Sequence, residues 1–199
     1  MSISSAQLRV AKKRPYRLGK RADQQLETRQ RIIEAAVDLH CSIGPARTTI
    51  AQIAERAGVQ RHTYYAHFPD ERGLFLACSE LALARDPLPD IAAWQDLAPG
   101  KERLRHGLAD LYCWYDRNEA LAGCVLRDAE EHALTRDIVD LRMTPVFVGA
   151  RKILGEDLSP RSLALLAVAL EFGCWRALKA TQDATVAAGL MADAIYAVA

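Results

Sequence analysis

The chain has 199 residues, half of them hydrophobic, with a mean hydropathy of −0.07 and a formal net charge of +1. That length accommodates one sizeable domain, or a small domain joined to a larger one, with enough apolar residues for a substantial core. The longest charge-free runs, residues 162–170 and 184–192, are about half the roughly 18 residues a membrane helix needs, so no membrane partner is expected.

Residues 1–22 contain no acid and carry Arg9, Lys12, Lys13, Arg14, Arg17, Lys20 and Arg21. Pro15 and Gly19 interrupt helical patterning, so this stretch is expected to be a flexible basic arm. From residue 23 to about 43 the pattern becomes helical, with Leu26, Ile33, Ala36, Val37 and His40 at helix spacing. Gly44 and Pro45 stop it. Thr49 with Gln52 three residues on forms a capping box. Ile50, Ile53, Ala54 and Ala57 then share one face of a short helix. Gly58 can take the left-handed conformation that ends it. Residues 60–66 can form a second short helix, closed by Phe68 and Pro69. Asp70 can cap a fourth helix reaching about residue 84.

Residues 86–89, Asp-Pro-Leu-Pro, form the expected linker. Beyond them helices are expected over 100–117, 119–123, 125–154, 160–181 and 184–198, with Pro145 kinking or splitting the third and Ser159-Pro160 opening the fourth. No run alternates as a strand would. The fold class is therefore all-α. Its expected domains are the arm (1–22), a helix-turn-helix head (23–70) and a larger helical body (71–199).

Charge is divided unevenly. Residues 1–80 hold 13 Lys+Arg against 8 Asp+Glu, and the remainder 13 against 17. A head of +5 on a remainder of −4 suits a protein whose N-terminal end alone meets a polyanion. The five cysteines are scattered with no CxxC pair, so neither a zinc clamp nor a redox dithiol is signalled. The first residues also lack the apolar segment of a secretory leader. Reduced thiols in a cytoplasm are expected.

Two short helices joined at Ala57-Gly58-Val59 have the shape of a helix-turn-helix, whose second helix enters the DNA major groove. With Val59 and Tyr64 turned inward, Gln60, Arg61, His62, Thr63 and Tyr65 line the outer face. Arg61 can offer two donors to guanine, Gln60 can pair with adenine, and His62 can reach a base edge. Thr63, Tyr65 and His67 are better placed for phosphates, which set register. Thr49, at a helix N-terminus, also suits a phosphate.

The run AAVDLHCSIGPARTTIAQIAERAGVQRHTYYAHFPDERGLF, residues 35–75, resembles the DNA-binding domain of the tetracycline-repressor (TetR) family. Positions matching that family's pattern are Ala36, Leu39, Gly44, Thr49, Ile53, Ala54, Ala57, Gly58, Val59, Tyr65, His67, Phe68 and Leu74. His40 stands where the family usually has Phe, and Tyr64 fills a slot more often aliphatic or Phe. Gln60 replaces the usual capping Ser. Glu71 replaces a Lys that contacts the DNA backbone, and Arg72 or the arm is expected to supply that charge. The resemblance implies a dimeric transcriptional regulator, with a double-stranded DNA operator as one partner and a small-molecule effector that releases it as another.

It also implies a body that dimerises through its last long helices and holds a ligand pocket. For the dimer the candidates are Leu163, Leu166, Leu170, Cys174, Ala177, Leu190 and Ala194. For the pocket they are Tyr112, Trp114, Tyr115, His132, Met143 and Phe147, with Trp94 beside them. The alternatives are a small helical enzyme and a protein-binding scaffold. The five histidines form no HxxxH pair, and no GxSxG or glycine-rich phosphate loop occurs. No catalytic residue, metal or cofactor is expected.

Overall fold

The computed structural model describes residues 16–198, with side chains from Lys20 onward. They form eleven α-helices and two short 3₁₀ turns, with no strand among the described residues.

The head contains α1 (Tyr16–Ser42), α2 (Ile50–Arg56), α3 (Arg61–His67) and α4 (Glu71–Arg85). Its core joins Ile32, Ile33, Ala36 and Val37 of α1 to Ile53, Tyr64, Phe68, Leu74 and Cys78. These residues recur at helical spacing on each element, so one apolar stripe per helix meets the others. Two features differ from expectation. The helix α1 begins at Tyr16, so residues 16–22 continue it and Gly19 lies inside a helix. The arm's other charges, Arg9, Lys12, Lys13 and Arg14, lie outside the described residues. In addition α4 gives Leu74, Ala77 and Cys78 to the head core, so the head extends past residue 70. The linker is also tied down: the Asp86 carboxylate accepts from Arg117 Nε at 2.8 Å and from Asn118 Nδ2 at 2.8 Å.

The body runs through α5 (Lys101–Arg117), α6 (Glu119–Ala129), α7 (Ala133–Arg142), α8 (Thr144–Leu154), α9 (Pro160–Ala169), α10 (Phe172–Lys179) and α11 (Ala184–Ala197). Leu104, Leu108 and Leu111 of α5 share the core with Ala187, Ala188, Ala192 and Ile195 of α11. The small residues of α11 let α5 approach closely, so they serve the chain's own core. Pro145 sits in the first turn of α8, and the expected long helix is divided there and again at residues 130–132.

The helix expected over 160–181 breaks at Leu170 and Glu171, where Glu171 is extended (φ −74°, ψ 138°). Such a break frees carbonyls that must find donors in the core. Two buried tyrosines of α5 supply them: Tyr112 Oη donates to Ala169 O and Tyr115 Oη to Leu170 O, each at 2.8 Å. Burial pushes both phenols well above their ordinary pKa, so they stay protonated donors.

Candidate functional site

The helix-turn-helix is assembled from local contacts. The Thr49 hydroxyl accepts from Gln52 N at 3.3 Å, and Gln52 Oε1 accepts from Thr49 N at 2.8 Å, closing the capping box that starts α2. Removing such a cap costs about 1 kcal/mol. Gly58 has φ +65°, a conformation costly for other residues, and turns the chain sharply between α2 and α3. Gln60 precedes α3 without capping it through its side chain, which leaves Gln60 free on the surface. At the other end Asp70 Oδ1 accepts from Gly73 N at 2.7 Å and starts α4.

Helix α3 is anchored by one face. Tyr64 is only 1 % exposed and packs against Phe68, with the Arg29 guanidinium 4.7 Å from the Phe68 ring centre. Burial raises the Tyr64 phenol to about 12. The opposite face is open. Gln60, Arg61, His62 and Tyr65 are exposed, Tyr65 at 51 %, while Thr63 and His67 are half-buried. Thr49 is exposed at the start of α2. Arg47, in the turn before α2, is exposed as well. It was not singled out from sequence, where a lone Arg in a loop carries no signal. Neither Arg47 nor Arg61 is ion-paired among the described residues.

Arg72 lies elsewhere. Its Nη1 is 3.3 Å from Asp137 Oδ2 on α7, so it faces the body and not the α3 surface. Both partners are more than half exposed, which makes this pair weak.

Head and body meet at a second built contact. Asp128 of α6 is buried, and its Oδ2 accepts from Ala46 N at 2.9 Å, in the turn between α1 and α2. Arg127 holds the other carboxylate oxygen at 2.8 Å and donates from Nη2 to Ile43 O at 3.2 Å. Gly44 makes room for this: its φ is +97°, and a Cβ there would strike the Asp128 carboxylate. Thus a body residue anchors the loop that leads into the helix-turn-helix.

The expected pocket residues separate into three places. Trp114 and Met143 line a cavity at the head–body junction, enclosed by α1, α4, α5, α6 and α7. Tyr115, Met143 and Phe147 line a second, more polar cavity against α8–α10. Tyr112 lines neither and is occupied at the α9–α10 break, as Trp94 is with Asp110, to which its Nε1 donates at 2.8 Å. The His132 Nδ1 is 2.7 Å from Thr135 Oγ1, and its ring lies beside Phe75.

The dimer candidates divide too. Leu166 and Leu170 are 0 % and 5 % exposed and belong to the chain's own core, so they cannot meet a partner without unfolding it. Ala177 and Leu190 are exposed, Leu190 at 50 %, and Leu163, Cys174 and Ala194 are half-buried. Val168 and Val186, 54 % and 50 % exposed, extend that apolar surface.

No helix among the described residues is long and apolar enough to cross a membrane.

The fold and the open face of α3 define a helix-turn-helix head on a helical body. Residues 32–78 match the family model described as bacterial regulatory proteins, tetR family. The chain is 41% identical over 56 residues to the HTH-type transcriptional regulator AcrR of Shigella flexneri, covering 28% of this chain and 26% of that protein. It is 51% identical over 51 residues to the HTH-type transcriptional regulator TtgR of Pseudomonas putida, covering 26% and 24%. The matched segment thus spans about a quarter of those relatives' length. Among solved structures, a TetR-family protein of Mesorhizobium loti MAFF303099 superposes with a TM-score of 0.60 at 16% identity, over 88% of this chain and 98% of that one. A transcriptional regulator of Aquifex aeolicus VF5 superposes with a TM-score of 0.53 at 19% identity, over 86% and 99%. At those identities the shared property is the fold, and it includes the body. Over residues 32–78 the chain is similar to the DNA-binding head of the TetR family.

Proposed function

We propose that this protein is a DNA-binding transcriptional regulator, a cytoplasmic homodimer that leaves its operator when a small molecule binds. The observation that carries this reading is the two-sided character of α3. Tyr64 is locked in the head core, while Gln60, Arg61, His62 and Tyr65 stand outward on a helix of major-groove dimensions. Arg61 reads a guanine, and Tyr65, Thr63, His67 and Thr49 hold phosphates. Arg47 adds to that electrostatic term, and the basic residues before Tyr16 supply more. Two heads related by a two-fold axis would read half-sites about 34 Å apart.

The exposed apolar residues Val168, Val186 and Leu190 support a partner surface on α9 and α11. The Asp128–Ala46 contact supports a route from body to head: a ligand that moves α6 moves the loop before α2. Coupling of this kind is reciprocal, so operator DNA must weaken the ligand as much as the ligand weakens DNA.

Selection of bound sequences from a random duplex pool, at stated salt, tests the whole reading. An enriched two-fold site with half-sites about one helical turn apart is expected. Recovery of unenriched DNA would defeat it. For the dimer, Leu190→Glu is expected to shift the sedimenting species from dimer to monomer at micromolar concentration. An unchanged mass would remove Leu190 from the interface.

A further inference from the structure

The junction cavity comprises about 770 Å³ of empty space between the head and the body, part of it open to solvent. Its wall is almost wholly apolar, formed by residues such as Val37, Phe75, Ala122 and Ile138. Most polar groups on that wall are already engaged. The Thr135 hydroxyl meets His132. Asn118 donates to Asp86, whose carboxylate also takes Arg117. Ser79 Oγ donates to Leu76 O at 2.8 Å and accepts from Arg142 Nε at 3.3 Å. His40 of α1 is the exception: it is 5 % exposed, and its Nε2 is the one buried side-chain nitrogen or oxygen without a hydrogen-bond partner among the described residues. Leaving such a group unmade inside a protein is costly, and a native one asks for a reason.

We infer that this cavity is a ligand site taking an uncharged, largely apolar ring compound that bears one hydroxyl group, with His40 Nε2 as its hydrogen-bond partner. The one cation on the wall, Arg142, already gives its Nε to Ser79 and lies at the α7 side; elsewhere on this apolar wall an ion would lose its hydration without a counter-ion. A hydroxyl suits His40 whichever tautomer the ring adopts, since it can donate to a bare nitrogen or accept from a protonated one. Burial holds the imidazole neutral, its pKa lowered to about 4 against a small opposing pull from Asp128. The site touches α1 and α4 of the head and α6 and α7 of the body together. A ligand there bridges the two units beside the Asp128–Ala46 contact, and its role as effector rests on the regulator reading above.

The test uses the full chain and two probes of matched shape, 1-naphthol and 1-methylnaphthalene, titrated by tryptophan fluorescence with Trp114 on the cavity wall. Wild type is expected to bind 1-naphthol about 10-fold tighter, the ratio corresponding to one well-made hydrogen bond. In His40→Phe that ratio is expected to fall to about 1, with 1-methylnaphthalene binding retained. Equal binding of the two probes by wild type, a ratio that survives His40→Phe, or no binding of either would overturn the proposal. Tighter binding of 1-naphthoate than of 1-naphthol would overturn it as well, by moving recognition to Arg142. A second readout is spectroscopic: in histidine-labelled wild type, 1-naphthol should shift one ring signal, the one missing from His40→Phe, and 1-methylnaphthalene should not. If both probes shift it alike, the hydrogen bond is absent. Duplex DNA binding by the same protein is measured without probe. Loss of sequence-specific DNA binding with the probe ratio intact would sink the regulator and leave the ligand site standing.

Discussion

The head and the body are both built of helices, yet they are specified differently. In the head, the caps that start α2 and α4 and the turn that ends α2 are made by residues a few positions apart. Thr49 and Gln52 start α2, Gly58 ends it, and Asp70 starts α4 through Gly73. In the body, α9 and α11 also start on local caps, Ser159 and Asp183, but one boundary depends on partners far along the chain. The α9–α10 break is sustained by Tyr112 and Tyr115, 57 and 55 positions from the carbonyls they serve. The comparison with known proteins follows the same line: the family model matches residues 32–78 of the head, while the likeness that extends over the body is one of fold. On the proposed reading, a head surface that fits DNA constrains its residues tightly. A helical bundle enclosing a cavity can be built from many sequences that keep volume and pattern.

If the body's last helices are core first and interface second, Leu166→Ala should be the most damaging single change. It is expected to cost about 2–5 kcal/mol in denaturant unfolding, independent of protein concentration. A cost that vanishes on dilution would return Leu166 to a partner surface and blur the distinction between the two faces of α9.

His40 sharpens the comparison from the head's side, because it is a buried head residue facing the body. Its folded pKa of about 4 lies below the 6.5 of an exposed imidazole. The unfolded chain therefore takes up a proton first as pH falls, and stability is lost between 6.5 and 4, levelling off below. Wild type should lose on the order of 3 kcal/mol more than His40→Phe across that window, by the conversion of a pKa shift to free energy. Parallel pH profiles for the two proteins would mean that His40 is hydrated in solution.

Tyr115→Phe leaves Leu170 O without its donor inside the core. A loss of about 1–3 kcal/mol is expected, with DNA binding at saturating folded protein unchanged. If instead stability held, the hydroxyl would not sustain the α9–α10 break, which would need another account.

These contacts also explain what could be seen in the sequence. The all-α class, the capping box, Gly58, the inward Tyr64 and the outward Arg61 follow from spacing within one or two turns. Pro145 marked a boundary because its ring cannot sit inside a helix. The break at Leu170 carried no proline or glycine, and its cause lies in another helix. The Asp128–Ala46 contact joins residues 82 positions apart, so neither partner announces the other. For the same reason Tyr112 looked like a pocket aromatic when its hydroxyl was already committed, while Tyr115 lines the second cavity with its hydroxyl turned to Leu170 O. Arg72 looked like a spare cation until Asp137 of α7 was placed beside it.

The head's outward face is the claim on which the rest depends, and Arg61→Ala tests it most directly. Binding should be measured at fixed salt on the selected operator and on a scrambled duplex. The substitution is expected to weaken operator binding by about 1–3 kcal/mol, relax preference at one base pair per half-site, and leave the scrambled duplex nearly unaffected. Equal weakening on both duplexes, or none on either, would contradict a recognition helix that reads bases through Arg61.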